Sequence, residues 1–319
     1  MLKTSYRARG NTSLVAEGLN GQSSHSSNGA NKDFSDRILI GDVREVLPQV
    51  PDGIVDCIIT SPPYFKQRDY NDSRQIGAEA DVQQYITTLI EVFQECRRVM
   101  KDSGSLWLNL GDKYSDGQLL GLPWRVALAL QSSGWILRSE IIWHKPNAMP
   151  HSVDDRPTTD HEQLFFFTKS PKYYYDVDAI REPHVTFSEQ SKMRGGRRHF
   201  GKRNGTPENG KNKGNSNLHD GRWDQAFHPK GRNKRTVWSI PLGKYRGAHF
   251  AVFPEKLIEP CVMAGCPQKG LVLDPFFGAG TVGLVAGRLG RRFLGVELNS
   301  SYAAMAKERL RAMQPFLLP

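Results

Sequence analysis

Apolar residues recur at helical spacing over residues 82–100, at positions 82, 85, 86, 89, 93, 96 and 100. Side chains spaced three or four positions apart share one face of a helix, so this face is expected to be buried. Asp81 and Gln84 form a capping box where the pattern starts, and Gly104 follows its end. The pattern therefore predicts one long amphipathic helix.

Short apolar runs, several rich in β-branched residues, alternate with helical patterns along most of the chain. This alternation predicts an α/β fold with a doubly wound, mostly parallel sheet and helices on both of its faces. The predicted strands are residues 37–42, 55–59, 106–110, 135–143, 164–168, 271–274 and 292–296, and residues 173–175 are expected to close a hairpin. The predicted helices are residues 43–49, 82–100, 122–132, 249–265, 281–289 and 301–313.

Two segments lack this periodicity. Residues 1–35 are rich in Ser, Asn and Gly and are expected to form a disordered or weakly ordered arm. Residues 186–247 change character abruptly, because Gly, Asn and basic residues replace most apolar ones. The predicted organisation is therefore an arm, a first half of the α/β domain at 36–185, an insert at 186–247, and a second half at 248–319.

The net charge of +10 is concentrated in the insert. Residues 186–246 contain 15 Lys and Arg against 4 Asp and Glu, whereas the rest of the chain has 28 basic and 29 acidic residues. A neutral body that carries one strongly basic segment indicates binding to a polyanion.

Hydrophobic residues make up 38% of the 319 residues, and no apolar run reaches the roughly 18 residues of a membrane span. The N-terminal residues lack the apolar stretch of a signal peptide, which favours a cytoplasmic, nucleoid-associated protein without membrane contact. The cysteines at 57, 96, 261 and 266 lack the paired spacing of zinc ligands and are expected to be reduced core residues, so no metal is implied.

Two consecutive prolines follow the predicted strand at 55–59, in the segment Ile-Thr-Ser-Pro-Pro-Tyr at 59–64. Proline fixes φ and lacks an N–H, so this backbone projects rigidly from the carboxyl end of the strand. Open α/β sheets bind their ligands at that end. A hydroxyl, a fixed carbonyl and an aromatic face in one rigid turn suit a planar ring that bears an exocyclic amino group. The alternative interpretation is purely structural: the prolines end the strand, and the tyrosine only packs.

A glycine-rich loop joins the predicted strand at 271–274 to the helix at 281–289. Its glycines at 278, 280 and 283 match the dinucleotide fingerprint, and Glu297 ends the next strand, where an acidic residue binds ribose hydroxyls. A nicotinamide or flavin oxidoreductase is therefore one interpretation. Asp274 and Pro275, however, place a carboxylate where a pyrophosphate would approach, and a negative charge there suits an ammonium and a sulfonium group. These details favour S-adenosylmethionine as the cofactor.

The Thr-Ser-Pro-Pro-Tyr segment resembles the catalytic motif of amino-group DNA methyltransferases, and its form is similar to that of the N4-cytosine branch. The N6-adenine branch more often has Asp or Asn before the two prolines. The motif precedes the glycine loop by more than 200 residues, with the basic insert between them. That order resembles the permuted β group of the family, and the resemblance covers roughly residues 37–315.

The resemblance implies direct methyl transfer onto a base that has flipped out of the duplex. Tyr64 would stack on the base, while Ser61 Oγ and the Pro62 carbonyl would accept hydrogen bonds from its amine. The implied catalytic residues are Ser61, Pro62, Pro63 and Tyr64. The implied cofactor-binding residues are Asp42, Asp274, Pro275, Phe276, Gly278, Gly280, Thr281 and Glu297. For Asp42, which would reach the adenine amine, a helix N-cap is the alternative, and for Glu297 it is a solvated strand end.

Double-stranded DNA is the partner that the basic insert indicates. Most of its cationic side chains are expected to contact phosphates, and one or two arginines to read guanine edges. A solvated basic loop is the alternative. Trp223, Phe227 and Trp238 are expected to anchor a small core in the insert. The implied DNA-binding residues are Arg194, Arg197, Arg198, Lys202, Arg203, Lys230, Arg232, Lys234 and Arg235.

The leading prediction is a site-specific N4-cytosine methyltransferase, and the runner-up is the same enzyme acting on adenine N6, because both amines need the same geometry. A basic DNA-binding protein with an inactive enzyme fold, and an oxidoreductase, are the alternatives from other classes. A cognate restriction endonuclease and a second copy of the chain are further partners that the sequence leaves open.

Overall fold

The computed structural model of the protein describes residues 33–69, 72–150, 153–183, 230–243 and 254–313. Almost all of the arm predicted at 1–35, and most of the predicted insert, lie outside these residues. The predicted DNA-binding residues Arg194, Arg197, Arg198, Lys202 and Arg203, and the aromatic residues Trp223 and Phe227, are among those outside.

Within the described residues, eight strands form one sheet. They are β1 (Arg37–Ile40), β2 (Val55–Thr60), β3 (Met100–Leu110), β6 (Ile136–His144), β7 (His161–Thr168), β8 (Val237–Ser239), β9 (Leu271–Asp274) and β10 (Arg292–Glu297), and a separate hairpin contains β4 (Tyr114–Ser115) and β5 (Gln118–Leu119). The order in the sheet is β1-β10-β9-β2-β3-β7-β6-β8. All neighbouring pairs are parallel except the two made by β7, so only that strand runs in the opposite direction.

The helices follow the predicted pattern closely. The Asp81 carboxylate caps the long amphipathic helix by accepting a hydrogen bond of 2.9 Å from the Gln84 N–H. Its apolar face is buried, and Leu89 is fully inaccessible. The helices are α1 (Val43–Val46, continued by a 3₁₀ turn at Leu47–Gln49), α2 (Val82–Val99), α3 (Leu122–Ser132), α4 (Glu255–Gly265), α5 (Thr281–Arg288) and α6 (Ser300–Met313), with a second 3₁₀ turn at Asp178–Ile180.

Helices cover both faces of the sheet. Ile58 and Leu106, on adjacent strands, belong to the core that the buried face of α2 completes. On the opposite face, a Cβ at Gly265 would lie 2.5 Å from Nε1 of Trp107, so only glycine lets α4 approach this strand so closely. The α/β class, the mostly parallel sheet and the two helical layers are thereby confirmed. All four cysteines are buried, as predicted for core residues.

Two aromatic segments differ from the sequence-based prediction. Residues 173–175 form no strand: Tyr173 and Tyr175 pack against Phe166 with ring centroids 5.7 and 5.6 Å apart. Trp238 does not anchor an insert, because it lies on β8, which pairs with β6, and its ring is 6.4 Å from that of Trp107. Both regions were misassigned because packing onto the sheet, rather than local pattern, decides where these aromatic rings lie.

The chain divides into two compact units. One comprises residues 1–175 and 236–319, and the other is Asp176–Arg235. The second unit begins ten residues before the predicted insert at 186–247 and ends before β8, which belongs to the sheet. No helix within the described part of the chain is long and apolar enough to cross a membrane.

Candidate active site

The carboxyl ends of the parallel strands meet at one edge of the sheet, and a cavity of about 250 Å³ opens there. Residues 61–64, which follow β2, and residues 275–279, which follow β9, both line it. The two motifs are more than 200 residues apart in the sequence, and the pairing of β2 with β9 brings them together. Of the predicted residues, those that line the cavity are Asp42, Ser61, Pro62, Pro63, Tyr64, Pro275, Phe276, Gly278, Thr281 and Glu297.

The proline turn is held from both sides. The carbonyl oxygen of Pro63 accepts a hydrogen bond of 2.9 Å from the hydroxyl of Tyr85 on α2. The ring of Tyr64 lies against the backbone that follows β3, where a Cβ at Gly111 would be 2.6 Å from Cε2 of the tyrosine. The orientation of Tyr64 is therefore set by packing as well as by the fixed φ of the prolines.

A polar cluster surrounds the hydroxyl of Tyr64. This hydroxyl lies 2.8 Å from Oε2 of Glu162, 3.1 Å from Oγ of Ser61 and 2.9 Å from Nδ2 of Asn109. Asn109 Nδ2 also donates to Glu162 Oε2 over 2.7 Å, and Lys145 Nζ pairs with Glu162 Oε1. The cluster joins β2, β3, β6 and β7 at the edge where the cavity opens, and all five residues line the cavity.

Sequence reasoning did not identify Asn109, Lys145 or Glu162 as site residues. Glu162 lies near the start of β7, and because β7 runs antiparallel, its first residues reach the same edge as the carboxyl ends of β3 and β6. One feature of the sequence could have pointed to these three residues, because each lies at or within two residues of a predicted strand end. That signal cannot be used until the direction of each strand is known.

Two features of the cluster bear on its chemistry. Burial, followed by the charge of Glu162, raises the pKa of Tyr64 well above its ordinary value, so this phenol is a neutral hydrogen-bond donor. Asn109 is 1% exposed, and its Oδ1 has no hydrogen-bond partner among the described residues. A buried acceptor without a partner is energetically costly.

The carboxylate of Asp274 does not line the cavity, contrary to its predicted role as a charge facing the cofactor. It is 1% exposed and accepts hydrogen bonds from Thr60 Oγ1 at 2.7 Å and from the Phe276 N–H at 3.0 Å. Burial raises the pKa of Asp274 to about 7, against the lowering effect of these two bonds. The residue therefore shapes the glycine loop and ties it to β2.

Gly280 is also absent from the cavity wall, and its role is steric. It has a φ of +76°, and a Cβ there would lie 2.9 Å from Cβ of Ala306 on α6. Gly278, at a φ of +51°, does line the cavity, and its N–H donates to Glu297 Oε2 over 2.6 Å. The glycines thus let the loop turn tightly between β9 and α5.

Two carboxylates, that of Glu297 at the end of β10 and that of Asp42 after β1, line the cavity. Glu297 is 8% exposed, and burial raises its pKa while bonds from the N–H groups of Asn299 and Gly278 oppose the rise. Asp42 caps α1 through the Arg44 N–H and forms an ion pair of 2.5 Å with the Arg44 guanidinium. Burial alone would raise the pKa of Asp42, but its bonds to Arg44 outweigh that effect and lower it. Asp42 is thus a helix cap that also lines the cavity.

The model of the N6/N4 DNA methylase family matches residues 55–308, which include both motifs and the cluster around Tyr64. The chain belongs to the DNA methylase family. It is 40% identical over 303 residues to the type II methyltransferase M.SmaI of Serratia marcescens, covering 86% of this chain and 90% of the relative. It is 41% identical over 300 residues to the type II methyltransferase M.Cfr9I of Citrobacter freundii, covering 85% and 86%.

Solved structures share the fold of this DNA methylase. A protein described as a DNA modification methylase from Thermus thermophilus, solved with S-adenosyl-L-methionine, has 27% identity and a TM-score of 0.56, covering 86% of this chain and 95% of its own. PvuII DNA methyltransferase, described as cytosine-N4-specific, has a TM-score of 0.60 and covers 88% and 92%, but its 17% identity shows the fold alone. Membership of the family removes the oxidoreductase alternative.

The cavity of the DNA methylase fits the predicted cofactor. Gly278 leaves open space beside the loop, since the atom nearest to a built Cβ is 4.0 Å away. Phe276 and Tyr302 supply aromatic surface, and Asp42 and Glu297 supply acceptors for hydroxyl and amino groups. An adenosyl group therefore matches the side chains that are present.

Within the second unit of the methylase, the described basic side chains are close to carboxylates. Lys230 lies 3.0 Å from Asp178, and Arg232 and Lys234 lie 3.3 and 3.2 Å from Glu182. Arg235, predicted with them, lies at the end of this unit and is also described. The Lys230 side chain is 65% exposed, whereas those of Arg232 and Lys234 are about a quarter exposed.

Proposed function

We propose that this DNA methylase is a site-specific methyltransferase that transfers the methyl group of S-adenosylmethionine to the N4 amine of a cytosine flipped out of duplex DNA. The observation that carries the proposal is the shared cavity, whose wall includes both the Ser61–Tyr64 turn and the glycine loop. A base and a methyl donor bound to these two motifs would meet in one enclosed space. Holding two reactants together in this way accounts for much of the rate in such reactions.

S-adenosylmethionine is the cofactor, as the sequence predicted, because the chain is a DNA methylase and a structural neighbour was solved with it. When bound, it supplies a methyl group that a sulfonium makes electrophilic. Glu297 and Asp42 would accept hydrogen bonds from its ribose and adenine groups, and Phe276 would pack against its apolar surface. Asp274, behind the wall, would act by holding the loop.

The acceptors near Tyr64 would orient the target amine. An exocyclic amine has two N–H groups, and the residues that line the cavity offer two acceptors, Ser61 Oγ and the Pro62 carbonyl. Hydrogen bonds from the two N–H groups to such acceptors would direct the nitrogen lone pair away from the ring plane. Fixed acceptors that face the positive charge developing on nitrogen also lower the barrier.

The base must leave the helix to reach these groups, which costs a few kcal/mol. Tyr64 presents its ring to the cavity and would offset part of this cost by stacking on the base. The basic residues of the insert would contact DNA phosphates, with Arg194, Arg197, Arg198, Lys202 and Arg203 as one cluster and Lys230, Arg232, Lys234 and Arg235 as another.

The choice of cytosine rests on Ser61, since adenine enzymes of the family more often carry Asp or Asn there. The base specificity named for PvuII methyltransferase agrees with it. The position of the catalytic motif ahead of the glycine loop supports the permuted β arrangement. A restriction endonuclease partner and a homodimer stay predictions.

The deciding experiment is to methylate DNA with the purified protein and S-adenosylmethionine and to digest the product to nucleosides. We expect N4-methyldeoxycytidine by mass spectrometry, formed about 100-fold more slowly by Ser61→Ala under single-turnover conditions. Finding N6-methyldeoxyadenosine would replace cytosine by adenine. Absence of both products, together with no cofactor binding by calorimetry, would support the inactive DNA-binding protein. Single-molecule sequencing of the same DNA would identify the recognition site.

A further inference from the structure

Methylation of an exocyclic amine leaves a proton to be removed, and the cavity contains a path for it. When nitrogen bonds to the methyl carbon, the carbon–sulfur bond breaks and its electron pair stays on sulfur. The nitrogen then has four bonds and a positive charge, and it must lose one proton to give the neutral methylamino product. An acceptor for that proton has to be connected to the amine.

The hydrogen bonds around Tyr64 have one consistent direction. Asn109 Nδ2 can only donate, and Glu162, as a carboxylate, can only accept. The single hydrogen of the Tyr64 hydroxyl is therefore directed at Glu162 Oε2, 2.8 Å away. The hydroxyl of Ser61, 3.1 Å from the same oxygen, must then donate to Tyr64, which leaves lone pairs on Ser61 Oγ for a donor in the cavity.

We infer that Ser61, Tyr64 and Glu162 form a proton relay that ends on the Glu162 carboxylate. This inference rests on the proposed binding of the amine at Ser61. The amine gives its proton to Ser61 Oγ, Ser61 gives its own to Tyr64, and Tyr64 gives its own to Glu162 Oε2. Each hydroxyl ends as it began, and the carboxylate becomes a neutral acid.

The surroundings of Glu162 suit a temporary acceptor. Oε2 also receives the Asn109 amide at 2.7 Å, and Oε1 is paired with Lys145, so both oxygens are held in place. The Lys145 ammonium lies 4.6 Å from the centre of the Trp143 ring, which fixes its position in turn. The Glu162 side chain is 17% exposed, so its proton can pass to solvent after the reaction.

The test uses the full-length enzyme with excess enzyme over DNA, so that one turnover is observed. We expect Glu162→Gln and Tyr64→Phe each to slow methyl transfer by about 100-fold or more, the usual size of a general-base contribution. The double variant should be no slower than the slower single variant, because both changes interrupt the same relay. Glu140→Gln, on β6 but not on the cavity wall, is the matched control and should react at the wild-type rate.

Two further measurements separate a relay from a purely structural effect. Glu162→Asp should recover part of the rate. Infrared difference spectra of one turnover should contain the carbonyl band of a protonated carboxylic acid in the wild type and not in Glu162→Gln, while cofactor and DNA binding by both proteins remain similar.

Two results would overturn the relay. Rates for Glu162→Gln and Tyr64→Phe within threefold of the wild type would mean that the proton leaves by another route. Losses that multiply in the double variant would show two independent roles. Failure of the proposed function is a different result, since the wild-type enzyme would then yield no methylated base. A product on adenine would leave the relay intact, because that amine releases the same proton.

Discussion

Replacing Asp274 by asparagine tests whether the buried carboxylate titrates near neutral pH. The amide has the same shape and keeps an oxygen for Thr60 and for the Phe276 N–H, but it cannot ionise. In the wild type the pKa of Asp274 is raised from 3.8 to about 7, and burial is the main cause. The two proteins should therefore differ in how their stability depends on pH.

The sign follows from proton uptake. Between pH 3.8 and about 7 the unfolded chain has released this proton while the folded chain retains it, so the wild type loses stability as pH rises through this window. Each pKa unit corresponds to about 1.4 kcal/mol, so the free energy of unfolding should change by up to about 4 kcal/mol. Above about pH 7 the wild type has lost all of this stabilisation, so the free energy of unfolding of the variant is then highest relative to that of the wild type.

Urea denaturation followed by circular dichroism, at intervals between pH 4.5 and 8, measures this effect. The unfolding free energy of the wild type minus that of Asp274→Asn should fall with rising pH and then level off above about pH 7. Asp81→Asn, at the exposed cap of α2, controls for the loss of a carboxylate. A difference that stays constant across the range would refute the assignment of a neutral-range pKa to Asp274. Because this side chain lies behind the cavity wall, we also expect the variant to bind S-adenosylmethionine within about tenfold of the wild type by calorimetry.

Three other predictions concern the reaction, the DNA and the core. Ser61→Ala should lower the single-turnover rate by about 100-fold while DNA affinity, measured by fluorescence anisotropy, stays within threefold, since it removes one acceptor from the amine. Neutralising Arg197 and Arg198 together should weaken DNA binding and flatten its salt dependence more than it slows transfer at saturating DNA, and equal losses in both assays would contradict this division. Leu89→Ala should lower the unfolding free energy by about 2–5 kcal/mol in urea, because the side chain is fully buried in the main core, and a loss below 1 kcal/mol would show that the site collapses around the gap.

Much of the fold was predictable because local signals and the final structure agree. The stripe on α2, its Asp81 cap and the glycine loop each reflect backbone or periodic constraints that operate over a few residues. The proline turn at 61–64 was predictable for the same reason, since its rigidity is a property of its own residues. Strand ends were less predictable: β3 starts at Met100, six residues before the prediction, because Met100 pairs with Val55 of β2.

The sequence by itself determined the identity of the two motifs, their order and the confinement of positive charge to one segment. Only the tertiary structure decided which polar groups complete the site. Glu162 is 98 residues from Tyr64, and the reversed direction of β7 is what brings it within 2.8 Å of the tyrosine hydroxyl. Burial likewise made Asp274 a structural carboxylate instead of a charge facing the cavity. Strand direction and burial depend on contacts between distant segments, and no local pattern of residues encodes them.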